Sequence, residues 1–276
     1  MPLDSVHLYL LALLQGVSEL FPVSSLGHSV LVPALLHWPI DRDAAWFLPF
    51  LVVLHLGTAG ALLVYFWRDW ATLLGGAWRA RGRSDTPESR LFWLLVVASV
   101  PGGLLGLLFE HRIRALFGGV TVAAVFLMLN GALLLWGDRF KHQAGRHRLE
   151  RLSWRSAFGI GCAQALALVP GLSRSGATLV AGLGAGLDYA ASARFSFLLA
   201  TPIIAAAGIL EVPKLWHTGL ATHGLLSMLT AGVLAGVAAY ASTWFLMRYF
   251  RTHELAALRP FGLYCLIAGG VALLFV

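Results

Sequence analysis

The chain has 276 residues, 58% of them hydrophobic and 12% charged, and its mean hydropathy is +0.77. That excludes an ordinary soluble domain and defines an integral membrane protein. The formal net charge of +7 raises nucleic acid as a partner, but the basic residues gather beside apolar segments, where the positive-inside bias accounts for them, so no nucleic acid is expected.

The first apolar segment, about residues 6–36, is long enough for one helix but is broken in its middle by "QGVSELFPVSSLGHS", Gln15 to Ser29. Two short apolar pieces around a proline read as a re-entrant hairpin of half-helices rather than a span. Asp4, with no basic residue ahead of the apolar run, argues against a cleavable signal peptide. Six later windows are long and apolar enough to cross the hydrocarbon layer as helices: Phe47 to Trp67, Leu91 to Phe109, Val120 to Trp136, Ala193 to Leu210, Leu225 to Met247 and Leu255 to Phe275. Strand-like alternation is absent from the sequence, which speaks against a β-barrel. The segments Arg68 to Arg90, Asp138 to Arg155 and Arg248 to Arg259 carry 14 Lys and Arg, against Arg42, Arg112, Arg114 and Lys214 on the other side. The bias puts both termini outside. Cys162 and Cys265, far apart in apolar surroundings, read as small hydrophobes.

Between the third and fourth windows lies a second interrupted segment, about residues 155–187, which contains "AQALALVPGLSRSGATLVAGLGAGL". An offset of 149 places Gln15 over Gln164, Ser24 over Ser173, Gly27 over Gly176 and Trp67 over Trp216. The chain therefore reads as one membrane domain, 1–276, made of two repeats, 1–136 and 154–276. Each holds one hairpin and three spans, an odd number, so the second copy is inverted. The fold class is an all-α polytopic membrane protein with six transmembrane helices and two re-entrant hairpins whose tips meet in the bilayer. Paired Gly/Pro-interrupted segments of this kind point to a binding site.

The chemistry of the tips is that of an anion site. Gly171, Ser173, Arg174, Ser175 and Gly176 open a helix, where free N–H groups, hydroxyls and a planar guanidinium suit phosphate. The competing reading of Arg174 is a structural ion pair with Glu19. At the first tip, Ser24 and Ser25 are candidate caps, and His28, three residues after Ser25, could serve it as a proton handler. Glu19, four residues after Gln15 on the same helical face, is an intramembrane carboxylate that could hold a divalent cation or act as a base, with Gln15 as a further metal ligand. His55 and Arg194, on the spans that follow the hairpins, either line the cavity or pack.

The motifs "SELFPVSSLGHS", "VPGLSRSGATLVAGLGAGL" and "AASARFSFLLATP" resemble the undecaprenyl-diphosphate phosphatase family of the bacitracin-resistance type, over nearly the whole chain. The resemblance implies a multi-pass protein of the bacterial inner membrane, with its site open to the periplasm. There it would remove the terminal phosphate of undecaprenyl diphosphate, recycling the lipid carrier of peptidoglycan synthesis. It implies Glu19, Ser25, His28, Ser173 and Arg174 as site residues and a divalent cation, Mg²⁺ or Ca²⁺, as cofactor. Partners beyond substrate and membrane lipid stay open, a homodimer among them. This chain departs at Gln15, where the family motif E-G-x-x-E has its first glutamate; glutamine supplies neither negative charge nor an exchangeable proton. The alternative is a non-hydrolytic translocase of polyprenyl phosphate, since inverted repeats with broken helices also build transporters.

Overall fold

The computed structural model describes residues 5–40, 47–109, 119–143, 149, 152–215, 225–253 and 256–275. Among them regular structure is entirely helical: α1 Ser5–Leu20, α2 Ser25–Leu35, α3 Phe47–Tyr65, α4 Trp67–Arg79, α5 Pro87–Leu108, α6 Val120–Gly137 with a 3₁₀ turn to Gln143, α7 Trp154–Leu166, α8 Arg174–Gly184, α9 Tyr189–Leu215, α10 Leu225–Thr252 and α11 Arg259–Phe275.

Both expected interruptions are present, and each has a local cause. Helix α1 stops at Leu20, one residue short of the position that Pro22 bars from helical geometry, and α2 restarts when Ser24 accepts a hydrogen bond from the Gly27 N–H at 3.2 Å. Helix α7 stops at Leu166, and α8 starts when Ser173 accepts from the Gly176 N–H at 3.1 Å. In the second break Gly171 adopts φ 102°, a region closed to residues with a Cβ. Gly27 and Gly171 abut, since a Cβ on Gly27 would lie 3.1 Å from the Gly171 Cα.

The spanning helices brace these halves. Helix α1 packs on α10, α7 on α5, and α8 on α9, while α6 touches both α2 and α8. Close backbone approach requires small residues at the crossings: Gly57 of α3 faces the Gly232 carbonyl of α10, and Gly131 of α6 faces α11 at Gly262 and Leu266. Among the described residues four helical stretches are long and apolar enough to cross a membrane: Pro87–Leu108, Val120–Phe140, Tyr189–Leu210 and Leu226–Thr252. The windows expected at Phe47 and Leu255 correspond to α3 and to the 17-residue α11.

One expectation is corrected. The charged segment after Trp67, expected to connect two spans outside the bilayer, begins with a helix: α4 leaves α3 at a bend of 77°. Its Trp67 and Trp78 are exposed, Leu73 is buried, and Arg68, Asp69 and Arg79 are charged, the pattern of a helix lying along the membrane surface. Charge density marked the segment as outside the bilayer but said nothing against a helix there. Asp69 receives Arg194 of α9, which therefore holds α4 down and does not line the cavity. Of the outward charges, Arg42, Arg112, Arg114 and the Lys214 side chain lie outside the described residues.

Candidate active site

The two breaks face a cavity of about 300 Å³. Its polar end is formed by Glu19, Ser24, Ser25, His55, Ser173 and Arg174, and its apolar remainder by α2, α3, α5, α9 and the second break, including Val52, Gly103, Leu168 and Ile203.

Glu19 is the hub. Helix α1 carries it to its last turn, just before the proline break, where it is 6% exposed. Its Oε1 accepts from Arg174 Nη2 at 3.0 Å, and its Oε2 accepts from Gln15 Nε2 at 3.0 Å and Ser25 Oγ at 2.5 Å, with His55 Nε2 at 3.2 Å. A carboxylate this buried persists because each oxygen is met by charge or hydrogen-bond donors. Arg174 is fixed at its other arm by the Ser196 carbonyl, to which Nη1 donates at 3.2 Å. The ion pair and the cavity wall are thus the same residue, so the two readings of Arg174 are compatible.

Other expected site residues fall into two groups. Ser24, Ser25, Ser173, Glu19 and Arg174 lie on the cavity wall; Gln15, His28, Gly171, Ser175 and Gly176 do not. His28 does not reach Ser25. Its Nδ1 donates to the Ser24 carbonyl at 2.7 Å, leaving Nε2 to accept from the Tyr264 hydroxyl at 2.7 Å, against which the ring stacks. The i, i+3 spacing put serine and histidine near each other on α2, but the backbone carbonyl one turn back captured the ring. The proton acceptor within reach of Ser25 is Glu19. Ser175 donates to the Phe21 carbonyl at 3.1 Å and so sutures tip to tip, and Gly171 and Gly176 serve close packing against α6. Part of the expected N–H cradle is also spent, on Asn130 by Ser173 and on Ser173 by Gly176.

Two contributors were hard to see in the sequence. His55, whose position on a span fits either cavity or packing, lines the cavity and touches the central carboxylate. Asn130 of α6, fully buried, donates from Nδ2 to the Pro22 carbonyl at 2.9 Å and accepts at Oδ1 from the Ser173 N–H at 3.0 Å. It therefore bridges both tips. A lone amide within "LMLNGALLL" is the available signal, because a polar group in a span demands a partner.

Protein side chains alone make no complete site for a divalent cation here. Among the described residues no group of three His, Cys, Asp or Glu is placed to hold one. Glu19 is the one carboxylate on the described cavity wall, its oxygens are committed to four neighbours, and Gln15 turns its N–H, not its oxygen, toward it. Mg²⁺ is usually held by one or two carboxylates together with waters and substrate phosphates, and the Gln15 Oε1 is buried without a partner among the described residues, so Glu19 and Gln15 would hold a cation only jointly with the substrate.

The helical spans, broken half-helices and buried arginine–carboxylate–serine cluster define a polytopic membrane protein with a polar site enclosed among its apolar helices. Comparison with known proteins narrows this. A family model described as bacitracin resistance protein BacA matches residues 8–271, and the chain belongs to that family. It is 60% identical over 275 residues to "Undecaprenyl-diphosphatase 2" of Chromobacterium violaceum, covering 99% of each chain. It is 50% identical over 280 residues to "Undecaprenyl-diphosphatase" of Granulibacter bethesdensis, covering 97% of this chain and 95% of the relative. It is also 50% identical over 262 residues to "Undecaprenyl-diphosphatase 2" of Burkholderia thailandensis, covering 95% and 93%.

Proposed function

We propose that this chain hydrolyses undecaprenyl diphosphate to undecaprenyl phosphate and inorganic phosphate, with Ser25 as the attacking group. The observation that carries the reading is the 2.5 Å hydrogen bond from Ser25 Oγ to Glu19 Oε2 beside Arg174, at the polar end of an otherwise apolar cavity. A cavity of about 300 Å³ takes a diphosphate head but is far too small for a polyprenyl chain, so the tail extends from its apolar part into lipid. Arg174 holds the terminal phosphate and stabilises the charge of the transition state. Ser25 Oγ bonds to the terminal phosphorus as its proton passes to Glu19, and the bridging P–O bond breaks to release undecaprenyl phosphate. Water then cleaves the Oγ–P bond, the serine recovers its proton, and inorganic phosphate departs. Translocation alone would leave the Ser25–Glu19 contact without a task. The charge bias supports an inner-membrane orientation with the site open to the periplasm, where the reaction returns the lipid carrier to peptidoglycan synthesis.

The test is phosphate release from undecaprenyl diphosphate by purified protein, with Arg174→Ala as the blank, and acid quenching with a terminal-phosphate label. Label retained on wild-type protein and lost in Ser25→Ala supports the reading; full turnover by Ser25→Ala refutes the serine step, and no turnover by wild-type protein refutes hydrolysis.

A further inference from the structure

We propose that His28 and Tyr264 are positioning residues for the attacking serine: the imidazole, braced by the Tyr264 hydroxyl, holds the strained Ser24 backbone that sets Ser25 against Glu19. The inference rests on the phosphatase reading and gives a task to a histidine that reaches neither Ser25 nor the cavity wall.

The strain lies at Ser24. Its φ of 67° and ψ of 95° fall outside the right-handed and extended regions, and the ψ is past the small left-handed well open to residues with a Cβ. His37 and Arg81 also have positive φ, but they stand exposed just past the ends of α2 and α4, where helices commonly finish that way. Ser24 is 3% exposed and precedes its helix, directly before Ser25. A residue in such a conformation persists only where its surroundings over-determine it.

His28 supplies most of that hold. The Ser24 carbonyl accepts twice from this one residue, from the backbone N–H at 3.1 Å and from ring Nδ1 at 2.7 Å, so both of its lone pairs are used. The backbone bond belongs to any helix start, whereas the ring bond is particular to the side chain at position 28. The Ser24 hydroxyl is held as well, by the Gly27 N–H at 3.2 Å. The peptide plane between Ser24 and Ser25 is thereby fixed, and with it the direction in which Ser25 leaves the break to meet Glu19 at 2.5 Å. The ring cannot turn away, because its Nε2 takes the Tyr264 hydroxyl at 2.7 Å and the two rings stack with centroids 5.6 Å apart. Tyr264 lies on α11, which packs along α6, the helix whose Asn130 bridges the tips. The placement of a serine in the first repeat is thus tied to a span of the second.

The test is a set of variants assayed for phosphate release, with kcat, KM and the pH profile measured beside thermal unfolding. His28→Ala should lower kcat about 100-fold with KM within about twofold of wild type, the cost of moving an attacking atom by about 1 Å. His28→Asn keeps an N–H donor at the same remove from the backbone but has no proton to exchange. It should recover kcat to within about tenfold of wild type and keep the wild-type pH profile, the gap being one imperfect hydrogen bond. Glycine adopts positive φ without strain, so in a Ser24→Gly background the loss caused by His28→Ala should shrink to about tenfold or less. Tyr264→Phe should lower kcat about three- to tenfold, the scale of one neutral hydrogen bond. A His28→Asn protein as inactive as His28→Ala, or an equal loss from His28→Ala in the serine and glycine backgrounds, overturns the proposal and returns the ring to proton transfer. If wild-type protein releases no phosphate, the phosphatase reading fails, and melting temperatures still decide the clamp. A smaller drop on His28→Ala in the Ser24→Gly background than in the wild-type one supports it, and an equal or larger drop overturns it.

Discussion

Asn130→Leu removes the amide that joins the two tips while keeping a side chain of similar bulk in a fully buried position. Leucine can replace neither bond, so the Ser173 N–H, now 3.0 Å from Asn130, is left buried and unpaired, and the Pro22 carbonyl, now 2.9 Å away, keeps only the long contact from the Cys265 thiol at 4.0 Å. Each loss costs about 1–3 kcal/mol, so the pair costs about 2–6 kcal/mol if the tips hold their places. If they move to recover partners, Ser25 and Arg174 lose register, and a displacement of about 1 Å costs on the order of a hundredfold in rate. The assay is thermal unfolding of the detergent-solubilised protein alongside kcat and KM for phosphate release. Either the melting temperature falls by roughly 5 °C or more, or kcat falls by about 100-fold with KM little changed. Asn130→Asp, which keeps the acceptor for Ser173 and loses the donor to Pro22, should fall between leucine and wild type. A leucine variant with wild-type melting and kcat would show that the bridge is incidental.

Three further substitutions probe other parts of the argument. Glu19→Gln strips Arg174 of its counter-charge, His55 of its carboxylate partner and Ser25 of its proton acceptor; turnover should drop to that of the Arg174→Ala blank, with a stability loss of about 3–5 kcal/mol read by thermal unfolding. Gly103→Leu places a side chain where the added Cβ meets nothing within 4 Å, on the cavity wall, so melting should be unchanged while KM rises about tenfold or more; an unaltered KM would place the lipid elsewhere. Gly57→Leu drives a side chain into the Gly232 backbone of α10, and an overpacked crossing costs about 1–3 kcal/mol or more, visible as lowered melting and poor monodispersity in size-exclusion chromatography.

Several features were legible along the chain because their causes are local. Apolar windows of span length, the helix break before Pro22, the interruption within residues 155–187 and the cap at Ser24 depend on residues within a few positions of one another; of the two candidate caps only Ser24 takes that role, and Ser173 caps the second half-helix. The gathering of Glu19, Ser25, Ser173 and Arg174 on two polar tips was legible too, since a charged group in an apolar segment has few places to go. The surface helix α4 was missed because a charged amphipathic helix and a charged loop share a composition, and what separates them is a membrane surface and the Arg194–Asp69 contact from a distant span.

What only the tertiary structure decided is which partner each polar group takes. His28 sits three residues from Ser25, yet its ring is bound to the Ser24 carbonyl and to Tyr264, 236 positions away; His55, 36 positions from Glu19 in the chain, is the histidine that meets the carboxylate. Asn130 likewise acquires its meaning from bonds to Pro22 and Ser173, 108 and 43 positions distant. The reason is general: sequence spacing fixes which side chains share a helical face, whereas a buried hydrogen bond goes to whichever group the packing of separate helices brings within about 3 Å.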